Sequence, residues 1–152
     1  DVIITRCSNN YGPNQHKEKF IPMVSTNALK NKPIPVYGDG QNVRDWIYVE
    51  DHCAAIFDLM TKGKAGEVYN IGADCEVHNI DLVHSILELL DKPKSLIKYV
   101  PDRLGHDRRY AIDSSKLYNE TGWKPKHSFN KALNTTIDFY KDKVLLGTKR
   151  TK

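Results

Sequence analysis

The spacing of hydrophobic positions changes from segment to segment along the chain, and that change predicts alternating strands and helices. Asp1 to Thr5, with Val2, Ile3 and Ile4 in a row, reads as a short buried strand. It starts without any preceding turn, so the expectation is a chain cut from a longer one. A polar loop containing Tyr11-Gly12-Pro13-Asn14 follows. Phe20, Ile21, Val24 and Ala28 recur at helical spacing and predict a helix over Phe20 to Leu29, with Pro22 tolerable in its first turn. Ile34-Pro35-Val36-Tyr37 predicts a strand closed by a Gly38-Asp39-Gly40 turn, and Val43 to Val49 a second extended stretch. Asp51 reads as the N-cap of a helix from Cys53 to Thr61, whose buried side is expected to carry Ala54, Ile56, Phe57, Leu59 and Met60.

Val68 to Gly72 predicts another strand. Leu82, Val83, Ile86, Leu87 and Leu90 define an amphipathic helix capped by Asn79 or Asp81. A short helix over Lys116 to Thr121 should stop at Gly122. A last one follows Ser128 as N-cap, with Phe129, Leu133, Ile137, Phe139 and Tyr140 on its stripe. Strands alternating with helices, without repeats or low-complexity stretches, place the chain in the α/β class.

Composition narrows this reading. With 152 residues, 39% hydrophobic and 28% charged, the chain can build one ordinary globular core. No apolar run approaches the roughly 20 residues of a membrane span, and the first residues lack the basic start and long apolar stretch of a signal peptide. The expected compartment is the cytoplasm. Cys7, Cys53 and Cys75 are too far apart for a zinc site and are expected to be idle thiols. The net charge of +4 owes part of its excess to Lys141, Lys143, Lys149, Arg150 and Lys152, read as a solvated terminus and not a nucleic-acid surface.

Two polar clusters interrupt the periodic segments, in loops where sites are usually built. Cys7-Ser8-Asn9-Asn10-Tyr11-Gly12-Pro13 directly follows a strand, where open α/β sheets bind ligands. Asp102-Arg103-Leu104-Gly105-His106-Asp107-Arg108-Arg109-Tyr110 packs arginines, a histidine and carboxylates together. Guanidinium forks grip phosphates with paired hydrogen bonds, and Arg44 and Lys19 would add to such a site. The competing reading pairs Arg103, Arg108 and Arg109 with Asp102 and Asp107 at the surface, and composition alone leaves both open. His106 is a candidate acid or base, or simply a hydrogen-bonding group. Tyr11, Tyr37 and Tyr110 can stack on a ligand or pack in a core. No Ser-His-Asp arrangement, P-loop or paired metal carboxylates are visible.

Ser8-Asn9-Asn10-Tyr11-Gly12-Pro13, Glu18-Lys19-Phe20-Ile21-Pro22, Tyr37-Gly38-Asp39-Gly40, Val43-Arg44-Asp45-Trp46-Ile47-Tyr48-Val49-Glu50-Asp51-His52, Tyr69-Asn70-Ile71-Gly72, Gly105-His106-Asp107-Arg108-Arg109-Tyr110-Ala111-Ile112-Asp113 and Gly122-Trp123-Lys124-Pro125 stand in an order that resembles the dTDP-glucose 4,6-dehydratases. These belong to the extended short-chain dehydrogenase/reductase superfamily, and the resemblance fades only after about Tyr140. It implies the carboxy-terminal part of a Rossmann-fold enzyme with its smaller α/β substrate-binding domain. Residues 1–13 and 42–73 would be the last strands and helix of the Rossmann domain, and 14–41 and 74–152 the nucleotide-sugar-binding domain.

The resemblance further implies substrate binding by Asn9, Lys19, Phe20, Pro35, Tyr37, Arg44, Asn79, Arg103, His106 and Tyr110. Arg44 and Arg103 would clamp the diphosphate, Asn9 would contact the sugar phosphates, and Tyr37 would lie by the nucleoside. Cys7, Ser8 and Asn10 would stand near the nicotinamide of NAD. The implied reaction oxidises sugar C4 with NAD, removes water across C5 and C6, and returns the hydride to C6.

The pattern departs from the family in one large respect. It has no glycine-rich dinucleotide turn, no Tyr-x-x-x-Lys pair in its early part and no acidic pair for dehydration. These parts, and the helices of the homodimer expected for the full-length enzyme, would lie upstream. The expectations are therefore no catalytic residue in this chain, no metal, NAD held mainly elsewhere, and no turnover by the chain alone. UDP-sugar epimerases or decarboxylases, and a non-catalytic nucleotide-sugar-binding module, are the alternatives.

Overall fold

The computed structural model describes the backbone of residues 1–149 and the side chains of residues 1–145. The basic tail from Arg150 to Lys152 lies outside the described residues. In chain order the elements are β1 (Ile4–Cys7), β2 (Asn9–Tyr11), α1 (Phe20–Leu29), β3 (Ile34–Tyr37), β4 (Val43–Tyr48), α2 (Val49–Lys62), β5 (Val68–Ile71), β6 (Glu76–His78), α3 (Asn79–Leu89), β7 (Ile97–Val100), β8 (Arg109–Tyr110), α4 (Ser115–Thr121) and α5 (Phe129–Lys149). The pairs β1–β5, β2–β4, β3–β7 and β4–β8 are parallel, and β6 also lies beside β4. Parallel neighbours require crossovers, which is why helices separate most partners in sequence.

The described chain divides into two compact units. The first comprises residues 1–11, 43–77 and 109–132, the second residues 12–42, 78–108 and the described residues from 133 onward. In the first unit, Ile47 from β4, Ala55 and Leu59 from α2, Tyr69 and Ile71 from β5, Leu117 and Trp123 form a core cluster. In the second, Ile21, Val24 and Ala28 of α1 and Leu82, Val83, Ile86 and Leu87 of α3 are buried together with Ile34 and Val36 of β3. Gly40 sits there at φ 73°, and a Cβ on it would come within 2.8 Å of Val36 and 2.9 Å of Ile80. Both the left-handed backbone and the lack of space demand glycine.

The strongly periodic segments fold as expected. α1 and β3 have the predicted bounds, α3 buries Leu82, Val83, Ile86 and Leu87 with Leu90 just beyond its end, and Gly122 ends α4 with φ 73°. The residue that caps α3 is His78, and Asn79 and Asp81 lie inside its first turn. Three further expectations are corrected. The opening strand runs Ile4–Cys7 and is largely exposed, with Ile4 at 54%. The loop after it contains β2, because Asn9 to Tyr11 pair with Trp46 to Tyr48.

The third correction concerns α2, which begins at Val49. Asp51 therefore lies inside its first turn and is not its N-cap. Its carboxylate accepts the backbone N–H groups of Lys126 and His127 at 3.0 and 3.1 Å and meets His127 Nδ1 at 2.9 Å. Asp51, Ala55 and Leu59, four residues apart, make the buried stripe. Ile56, Phe57 and Met60 fall on the other side and stay exposed.

Candidate functional site

In the first unit, β1 ends at Cys7, and Ser8 follows it, buried, with its backbone N–H donating to Ile71 O at 3.0 Å. Asn10 Nδ2 donates to Ser8 O at 3.2 Å, which shapes the step from β1 into β2. Asn9 stands opposite Trp46 on β4, two residues from Arg44. Alternation along a strand puts Arg44 on the same side of β4 as Trp46 and Tyr48. Arg44 Nη1 donates to Val43 O at 2.7 Å, and in register Arg44 faces Tyr110 of β8, which is 45% exposed. Asn9, Arg44 and Tyr110 thus lie on three strands of one sheet, β2 and β8 each running parallel to β4.

Asp45 points the other way. It is 1% exposed, and its Oδ1 accepts the Cys75 backbone N–H at 2.9 Å. Burial raises its pKa, only partly offset by that hydrogen bond and by Ser8. Burial together with the Asp45 charge pushes the Cys75 thiol up to about 11, which makes it unreactive at neutral pH. All three cysteines are free thiols.

In the second unit, two loops meet at the ends of β3 and β7. Tyr37, the last residue of β3, carries the Arg103 guanidinium 5.2 Å from its ring centroid, a cation–π contact. The His106 ring lies edge-on to the same tyrosine at 6.1 Å. His106 Nδ1 is 2.6 Å from Asp102 Oδ1, and its side chain is almost fully buried. The hydrogen bond from His106 holds the Asp102 carboxyl below its ordinary pKa. Pro35 lies two residues before Tyr37 on the same side of β3, since Ile34 and Val36 are buried. Asn79 opens α3, and its backbone N–H donates to Asn42 O at 2.9 Å. Lys19 and Phe20 lie at the start of α1, Lys19 as its N-cap residue and Phe20 as its first helical one.

The arginines divide by partner. Arg108 donates both Nη atoms to Asp39, at 2.7 and 3.0 Å. Arg109 donates Nε and Nη2 to Glu76, both at 2.6 Å. The forks lower the pKa of both carboxyls, Asp39 to about 2. Surface pairing therefore does occur, and the two forks are made with Asp39 and Glu76, far away in sequence. Asn42, which the sequence did not single out, is 1% exposed and donates from Nδ2 to Asp107 O at 3.1 Å. Among the described residues, no group of three His, Cys, Asp or Glu side chains is placed to hold a metal ion.

Residues 1–136 match the family model described as GDP-mannose 4,6 dehydratase. The chain belongs to the GDP-mannose 4,6-dehydratase family. Among curated relatives, the dTDP-glucose 4,6-dehydratase of Xanthomonas campestris pv. campestris strain B100 is 51% identical over 148 residues, 91% of this chain and 42% of the relative. The dTDP-glucose 4,6-dehydratase 1 of Escherichia coli K12 is 52% identical over 146 residues, covering 91% of this chain and 40% of the relative.

Among solved structures, the dTDP-glucose 4,6-dehydratase of Bacillus anthracis in complex with NAD superposes with TM-score 0.88 at 54% identity, over 92% of this chain and 44% of that one. The UDP-glucose 4-epimerase of Thermotoga maritima with UDP-glucose gives TM-score 0.88 at 29% identity, over 93% of this chain and 46% of that one. The fold is thus that of the Rossmann-type extended short-chain dehydratases and epimerases. The chain spans less than half the length of the curated relatives it matches. Within this family, the Cys7–Pro13 and Asp102–Tyr110 clusters fall inside the matched residues.

Proposed function

We propose that this chain is the nucleotide-sugar-binding part of a dTDP-glucose 4,6-dehydratase, with dTDP-glucose as the ligand. The observation that carries this reading is an identity gap at equal backbone similarity: TM-score 0.88 with both the dehydratase and the epimerase, but 54% against 29% identity. The second unit would act as the substrate-binding domain. Tyr37 and Arg103 would form a wall for the nucleoside and its diphosphate, and His106, held by Asp102, would support Tyr37 from the side. Asn9, Lys19, Phe20, Pro35, Arg44, Asn79 and Tyr110 are the further residues proposed to contact the ligand. Arg103 suits a phosphate because its planar fork makes paired charged hydrogen bonds.

The cofactor expected for such an enzyme is NAD. Among the described residues no strand runs through a glycine-rich turn into a helix, the arrangement that cradles a dinucleotide pyrophosphate. β1 instead passes through buried Ser8 straight into β2. This chain's own residues would reach NAD only at the nicotinamide end, through Cys7, Ser8 and Asn10, with the rest of the dinucleotide held by other parts of the enzyme. NAD would accept a hydride from the sugar and return it. The chain's share is to bind and orient the nucleotide sugar. A homodimer in the cytoplasm, without nucleic acid as a partner, completes the reading.

Calorimetric titration of the full chain with thymidine diphosphate and with uridine diphosphate tests it. Thymidine diphosphate is expected to bind more tightly, and Arg103→Ala to weaken it about tenfold or more through loss of a charged hydrogen-bonding partner. No binding of either ligand, or a preference for the uridine compound, overturns the reading.

A further inference from the structure

Tyr37 ends β3 just before the 38–42 turn and Arg103 sits on the 102–108 loop, and nothing in their own contact is rigid enough to hold the turn and the loop in register. A cation over a ring is a tolerant contact, and Arg103 and Tyr37 are both exposed. What ties the loops lies just beside them. The Arg108 guanidinium grips Asp39 through two hydrogen bonds at 2.7 and 3.0 Å, in the planar fork that fixes orientation as well as distance. Asp39 Oδ1 also accepts the Gln41 backbone N–H at 2.9 Å, so the same carboxylate shapes the turn that follows Tyr37. One residue before Arg108, the Asp107 carbonyl accepts from buried Asn42 at 3.1 Å. On the other side of the turn, Gly38 N donates to Val100 O at 2.9 Å. A Cβ on Gly38 would lie 3.1 Å from the Asp102 carboxylate that holds His106.

We propose that the Asp39–Arg108 fork is a positioning clamp for the nucleotide-diphosphate site, joining the 37–42 turn to the 102–108 loop so that Tyr37, Arg103 and His106 present one preformed wall. This rests on the function proposed above. Neither Asp39 nor Arg108 touches the ligand in this scheme. The pair is solvent-exposed, 63% for Arg108 and 56% for Asp39, and exposed ion pairs add little to global stability. A fork placed there acts on local geometry, and preformed geometry strengthens binding by lowering the ordering cost of the loops.

The test is a double-mutant cycle on thymidine diphosphate binding by the full chain, with Asp39→Asn, Arg108→Gln, both together, and the exchange Asp39→Arg with Arg108→Asp. Each single change is expected to weaken binding about tenfold while the thermal midpoint moves by no more than about 2 °C. The double change should weaken binding no further than either single one, because the pair acts as a unit. The exchanged pair should recover part of the affinity. The proton resonances of the His106 ring, which feel the ring current of Tyr37, should shift in the weakened variants and return toward the original in the exchange.

Single variants that bind as tightly as the unaltered chain, with unchanged His106 resonances, overturn the clamp and leave the proposed function standing. Additive losses without recovery in the exchange also overturn it. An unaltered chain that binds no nucleoside diphosphate removes the proposed function, and the clamp falls with it.

Discussion

Asp45 lies in the interior of the first unit, across from Gly72, where a Cβ would come within 2.6 Å of its carboxylate. Burial raises its pKa above the ordinary aspartate range, and the nearby Asp74 and Glu76 push the same way. The folded state therefore holds the Asp45 proton more tightly than the unfolded chain does. Its contribution favours folding below the ordinary aspartate pKa and is lost as pH rises through the raised folded value. The exposed carboxyls Asp39 and Glu76 oppose it, since their lowered values contribute stability that disappears as pH falls. Asp45→Asn isolates the buried group, because an amide oxygen can still accept from Cys75. The expected outcome is a variant whose stability relative to the original chain increases from pH 4 to pH 7, read by urea unfolding at both values. A constant difference across that range would show that Asp45 is not the titrating group.

α2 shows what a short apolar sequence can and cannot disclose. Its apolar residues fill more than one face, so periodicity alone assigned Ile56, Phe57 and Met60 to the buried side. The orientation is fixed instead by Asp51, whose carboxylate takes the 126–127 backbone and turns the 51–55–59 stripe inward. That partner lies 75 residues away and leaves no mark in a local window. The outward stripe has Phe57 at 66% and Met60 at 77% exposure, an apolar ridge facing water. Phe57→Gln combined with Met60→Gln is expected to change unfolding free energy by no more than about 0.5 kcal/mol per site. The same change should reduce concentration-dependent self-association measured by sedimentation. Loss of several kcal/mol would mean that these side chains are packed after all.

The same distinction explains which other elements were legible. α1, β3 and α3 carry strong periods bounded by proline, glycine or polar residues, and their bounds or buried faces were readable. β2, β6 and β8 have two or three residues each, mostly polar, and are strands only because β4 offers them hydrogen bonds from elsewhere in the chain. Arginine density flagged the 102–110 loop, but the residues nearby could not show which guanidinium was committed. The partners of Arg108 and Arg109 lie 69 and 33 residues away.

Neither compact unit is a continuous segment: the chain passes between them after residues 11, 42, 77, 108 and 132. Two of these passages fall inside regular elements. β6, Glu76–His78, spans the change at residue 77, and α5, Phe129–Lys149, spans that at residue 132. Helix formation is cooperative, so unravelling α5 on one side of residue 132 weakens the turns on the other. β4 begins at the passage after residue 42, so the turn of one unit leads directly into the central strand of the other's sheet. Such threading differs from a pair of domains joined by one linker, where each part can melt alone. Unfolding is therefore expected as a single transition, with calorimetric and van't Hoff enthalpies that agree. Ring probes in each unit, Trp46 in the first and Tyr37 in the second, should report the same midpoint. Two resolved transitions would show that the units are energetically independent despite the shared helix.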